Sequence, residues 1–149
     1  MMEFTMAGFA AHLEGLAARM PDFELSVLER IGAKVTTAAK DKIGEYQSQA
    51  GPFAAWAPLT ESTKADRVRG GFSEDNPELR TGALRDSIEY VVVPPEVIIG
   101  SPLDIALWQE LGTIKMPARS FLGGAAFEQA PILTAEAGGR LELYLAGAR

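Results

Sequence analysis

Cysteine is absent from the 149 residues. That removes disulfides, thiolate nucleophiles and cysteine-based metal sites. Histidine occurs once, at His12, so no two-histidine metal motif can be built. No run approaches the roughly 18 apolar residues that a membrane-spanning helix needs. The stretch MMEFTMAGFAAHLEGLAARM carries Glu3 and no basic leader before its apolar run, which is not the pattern of a secretory signal. A basic excess is missing too. The net charge is -6, whereas a protein that grips nucleic acid usually carries a basic stripe. An acidic wall could still line a DNA conduit without holding DNA, because each phosphate–cation contact adds affinity.

The signatures of catalysis are equally sparse. There is no GxGxxG, no Walker loop, no GxSxG elbow and no EF-hand loop. Gly70-Gly71 and Gly123-Gly124 are only pairs. His12 sits beside Leu13, three residues after Phe9, and reads as a surface or boundary residue of a helix. Glu74, Asp75, Glu78, Asp86 and Glu89 read as solvated surface. A small carboxylate-dependent hydrolase is the enzymatic alternative, and it would require two buried acids converging in a pocket. The expectation is no catalytic residue, no cofactor and no metal.

What is present is a pattern of helices and one hairpin. Residues Met1 to Met6 suit a short strand or a disordered lead. Phe9, Leu13, Leu16 and Met20 recur at helical spacing, and Pro21 is expected to end that helix. Leu28, Ile31, Val35, Ala39, Ile43 and Tyr46 then form the apolar stripe of a long amphipathic helix from Phe23 to about Gln47. Residues 48–77 are rich in glycine, proline and polar side chains and form a long loop open to mobility. Within it, Thr60 can cap a short helix, and Phe53 and Trp56 suggest partial packing.

Thr81 can cap another short helix through Asp86. SIEYVVV and EVIIGS read as two β-strands with Pro94 and Pro95 at their turn. A helix from Asp104 to Leu111 and a C-terminal helical region to about Ala146 follow. Pro131 and Gly138-Gly139 are expected to interrupt the latter. The order predicts an α+β fold, a small antiparallel sheet with a long amphipathic helix and further helices packed on it, in a single domain.

LWQELGTIKMPARSFLGGA, from Leu107 to Ala125, is the most informative stretch. Trp108 and Leu111 share a helix face, which reads as core. Gly112 can stop the helix. Lys115, Pro117 and Arg119 then stand between apolar anchors, with Phe121 as a plug. Such a segment suits a protein–protein contact or an internal brace in which Arg119 pairs with an acid such as Glu110. Trp56 presents the same choice between anchoring its loop and plugging an interface.

Three blocks in order add a resemblance. WAPLTEST resembles the W-x-P-L-x-x-x-T segment of tailed-phage virion-morphogenesis proteins. LRTGALRDSI resembles their TGxLRxSI segment, and ALWQELGTIKMPARSFLGGA resembles their E-x-G-T helix end followed by P-A-R-x-F-L. The set spans Trp56 to Ala125, about half the chain. It is similar to the Mu-like protein G group and related tail-completion or head-tail joining proteins. Some members carry histidine where Gln109 stands here, and Gly70 to Pro77 is longer and more acidic than that pattern.

The resemblance implies a structural virion protein of the neck or tail end, made in the host cytoplasm and acting as a copy in a homo-oligomeric ring. It implies neck, connector or tail-tube proteins as further partners, DNA only as passing cargo, and neither cofactor, catalysis nor membrane. A head-side assembly factor is the alternative within virion biology, and an acidic adaptor the alternative outside it. The residues proposed for protein contacts are Trp56, Arg85, Glu110, Lys115, Arg119 and Phe121.

Overall fold

The computed structural model describes residues 5–147. The strand or lead expected at the N-terminus therefore lies mostly outside the described residues, and Met6 already belongs to a helix. That helix, α1 (Met6–Lys42), is one continuous element. Thr5 caps it, its hydroxyl accepting from the Gly8 N–H at 3.1 Å. Lys40 and Lys42 occupy its last turn, where cations offset the partial negative charge of the exposed carbonyls. The expected break at Pro21 does not occur, and the amphipathic segment ends at Lys42 rather than near Gln47.

The reason lies in a partner helix. α5 (Leu122–Leu145) runs along α1 and holds it on both sides of Pro21. Before the proline, the Tyr144 hydroxyl donates to the Leu16 carbonyl. After it, Phe23 stacks on the Tyr144 ring at 4.5 Å. Further along, Arg30 and Lys34 pair with Glu136, and Arg140 donates to the Ser26 hydroxyl at 2.9 Å. An interior proline costs roughly 3 kcal/mol in an isolated helix, which packing on this scale can offset. α5 also runs unbroken through Pro131 and Gly138-Gly139, where an interruption was expected; Lys42 pairs with Glu128 before the proline at 2.7 Å, and Glu136, Arg140 and Tyr144 hold α1 after it.

The sheet is a two-stranded antiparallel hairpin, β1 (Glu89–Val93) and β2 (Glu96–Gly100), with Val91 opposite Ile98. The Pro94–Pro95 peptide at its turn is cis. Its inner face packs on α1. There the Tyr90 ring lies so close to Gly32 that a β-carbon would stand 2.3 Å from Cδ2, and the Tyr90 hydroxyl reaches Glu29 at 2.9 Å. The fold is thus α+β, with long helices packed together and a small antiparallel sheet against the first.

Among the described residues three short helices complete it: α2 (Glu61–Arg69), α3 (Ala83–Ser87) and α4 (Asp104–Leu111). α2 starts at the expected cap, where the Thr60 hydroxyl accepts from the Thr63 N–H at 3.3 Å. α3 begins one step later than expected: Gly82 takes the cap position at φ +88°, and Thr81 accepts from the Ala83 N–H at 3.2 Å. The connection after α2 is tied to the end of α1, with the Gly44 N–H donating to Pro77 O at 2.9 Å and Asn76 Nδ2 to Gly44 O at 3.0 Å. The core gathers Ala39 of α1 and Ile43 just past its end, Leu84 and Ile88 around α3, and Trp56, Phe121 and Ala125.

Candidate protein-interaction site

The 107–125 segment divides into a buried brace and an exposed tip. Glu110 builds the brace. One carboxylate oxygen accepts from the Phe121 and Leu122 N–H groups, both at 2.9 Å. The other accepts from the Ser120 hydroxyl at 2.6 Å and the Gly123 N–H at 2.8 Å. The first N–H groups of a helix have no intrahelical acceptor and carry partial positive charge. Glu110 supplies both the acceptors and the opposite charge from α4 to α5.

Arg119 forms the second half of the brace. It is 5% exposed, and its guanidinium donates to Ala57 O at 3.0 and 2.9 Å and to Pro58 O at 3.3 Å. Trp56 Nε1 donates to Ser120 O at 3.3 Å. The first and third sequence blocks are therefore bonded directly to each other. The Arg119–Glu110 pair offered for the brace is corrected: Arg119 donates to the Ala57 and Pro58 carbonyls, and Glu110 accepts from the start of α5 and the Ser120 hydroxyl. Phe121, expected as a plug, is fully buried, and Trp56 is buried beside it. Arg85 stays local, its Nε 3.3 Å from Asp86 Oδ1. Of the six contact residues proposed from sequence, Lys115 alone stands on an outward tip; Trp56, Arg119 and Phe121 brace the chain from within.

The tip is closed on itself. The Thr113 N–H donates to Met116 O at 2.8 Å and the Met116 N–H returns to Thr113 O at 3.3 Å, which leaves Ile114 and Lys115 at the apex. Gly112 makes the reversal possible. Its φ is +74°, and a β-carbon there would lie 2.7 Å from Ala118 N and 2.9 Å from Met116 O, both rigid backbone atoms.

Beside the tip, α4 turns Ala106 and Glu110 inward and Leu107, Trp108 and Leu111 outward, as helical geometry requires of residues on opposite arcs. Those three are 58%, 50% and 70% exposed, and Ile114 is fully exposed. The core assignment expected for Trp108 is corrected accordingly. This strip is the feature the sequence reading missed. A signal for it exists: DIALWQEL is apolar on more than the arc one buried face can use.

A second apolar feature lies where the middle of α1 meets the C-terminal half of α5. Met20, Phe23, Val27 and Leu28 of α1 and Ala137, Gly138 and Leu141 of α5 line a groove of about 460 Å³, with Glu24 among them.

Two ionisable residues also bear on the sequence reading. Glu78, expected on the solvated surface, is 7% exposed with a positive φ of 61°. Among the described residues neither carboxyl oxygen has a hydrogen-bond partner. Burial pushes its pKa up to about 8, with Arg119 opposing and Glu110 adding to the rise. Glu110 offers no free base beside it, since both its oxygens are engaged. His12 is a boundary residue, its Nε2 donating to the Leu145 carbonyl at 3.1 Å. Among the described residues no group of three or more His, Cys, Asp or Glu is placed to hold a metal ion, and no helix is long and apolar enough to cross a membrane.

Comparison with protein-family models, with curated proteins and with solved structures gave no match to this chain.

Proposed function

We propose that this chain is a structural virion protein of a tailed phage, completing the tail or joining tail to head at the neck as one copy of an oligomeric ring. The resemblance of the Trp56, Thr81 and Glu110–Leu122 blocks to virion-morphogenesis proteins supplies the class. The observation that carries the assembly role is the outward strip of Leu107, Trp108, Leu111 and Ile114. Leu107, Trp108 and Leu111 share one helix face, and a sizeable exposed apolar patch marks a contact surface. The strip is held by a brace fixed at four hydrogen bonds through Glu110, so it is presented as a rigid surface with little ordering cost on binding. The net charge of -6 suits a ring through which DNA passes without being trapped.

Electron microscopy of lysates from a phage or prophage lacking this gene tests the reading. Filled heads beside unattached tails are the expected result, and abnormal tail lengths would place the same protein at tail termination. Defective or empty heads would move it to head-side assembly. Intact joined particles would end the virion reading.

A further inference from the structure

The tip and the groove are complementary, and one chain cannot bring its own pair together. The tip sits at the N-terminal end of α5, fixed there through Glu110 and Gly123. Gly138, in the groove, lies fifteen residues along the same helix, roughly 22 Å at an α-helical rise of about 1.5 Å per residue. A turn closed between Thr113 and Met116 cannot cross that distance.

We infer that the Ile114 tip of one copy seats in the α1–α5 groove of the next copy, joining this chain head to tail. The inference rests on the ring reading above and names its contact. Three observations select a second copy as the occupant. The first is shape: the groove is open and mostly apolar, and at Gly138 nothing lies within 4 Å of where a β-carbon would be, while the tip is a narrow projection ending in one aliphatic side chain. The second is charge. Lys115 stands next to Ile114 at the apex, and Glu24 is the one acid among the groove residues, so the two apolar surfaces carry opposite charges beside them. The third is placement. Two different, well-separated patches on one body make a heterologous contact, which repeats from copy to copy and closes into a ring when the rotation permits.

The absence of cysteine makes the contact directly testable. Full-length Ile114→Cys and Leu141→Cys proteins are mixed at high concentration under mild oxidation, with Ile114→Cys plus Glu96→Cys as the control pair. Both Leu141 and Glu96 are exposed, so the control matches accessibility. The expected result is a 114–141 cross-link well above the 114–96 link, and a ladder or closed ring from the Ile114→Cys/Leu141→Cys double variant. Ile114→Asp should weaken association at least about tenfold, while Ile114→Leu retains it and both keep the wild-type melting temperature.

A dominant 114–114 species would overturn the inference in favour of a symmetric tip-to-tip dimer. Oligomers in sedimentation without an excess 114–141 link would overturn this contact and leave the ring reading standing. A protein that stays monomeric at every concentration would overturn self-contact and assign the tip to another neck component. The gene-deletion microscopy decides the virion reading independently of all three.

Discussion

Glu110 accepts four donors at 2.6–2.9 Å from the start of α5, and its charge opposes the helix end it caps. Glu110→Gln keeps the shape but turns an NH2 group toward N–H groups that need an acceptor. Bonds to an ionised acceptor contribute roughly 1.5–3 kcal/mol each in favourable cases. The expected loss is about 2–4 kcal/mol, read as a lower denaturant midpoint at unchanged slope. Glu78 behaves in the opposite sense. Its folded pKa of about 8 lies above the ordinary carboxyl value of 4.5, so the folded state holds the proton more tightly than the unfolded chain. Its contribution is fully present below pH 4.5 and is lost as pH rises toward 8. At about 1.4 kcal/mol per unit, the change amounts to a few kcal/mol. Glu78→Gln should flatten this slope and be more stable than the wild type at pH 8.5. Urea unfolding at pH 5, 7 and 8.5 checks it; parallel pH profiles for the two proteins would contradict it.

At the scale of elements, two glycines separate packing from propensity. Gly139 is exposed, with nothing within 4 Å of the point a β-carbon would occupy, so Gly139→Ala should stabilise α5 by about 0.5–1 kcal/mol. Gly32 gains the same propensity on substitution, but its methyl would meet the Tyr90 ring. Gly32→Ala should therefore push the hairpin off α1 and cost about 1–3 kcal/mol net. Thermal melts of the two variants should move in opposite directions. These positions also show what local sequence can and cannot carry. The Asp104–Leu111 helix, the hairpin and the Thr60 cap were legible because each is signalled by residues within one or two turns. The continuity of α1 through Pro21 and of α5 through Pro131 was not. The first depends on Tyr144 and Glu136, which lie more than a hundred residues from their α1 partners, and the second on α1 gripping α5 at Glu128 and Glu136, either side of Pro131. The brace was half legible: its residues were identified, but all of Arg119's bonds and three of Glu110's four run to backbone atoms that no side-chain pattern announces.

For the whole molecule, the division between brace and strip predicts two kinds of mutant within one short stretch. Phe121 is fully buried in the core, whereas Leu111 is 70% exposed. Phe121→Ala removes a large ring from a packed interior, and such changes cost about 3–5 kcal/mol. Leu111→Ser removes an apolar side chain already facing water, and surface changes of that kind stay within about 0.5 kcal/mol. If the strip is an assembly surface, stability and assembly separate at these residues. Leu111→Ser and Trp108→Ser should melt with the wild type yet shift sedimentation at high concentration toward the monomer and raise solubility. Phe121→Ala should lose stability first. The two tryptophans give an optical version of the same measurement. Trp56 is buried and Trp108 half-exposed, so acrylamide should quench one fraction of the emission readily in the monomer and leave the other protected. On assembly the accessible fraction should fall, and in Trp108→Phe it should be missing at every concentration. A Leu111→Ser protein that melts early would place the strip in the fold rather than on its assembly surface.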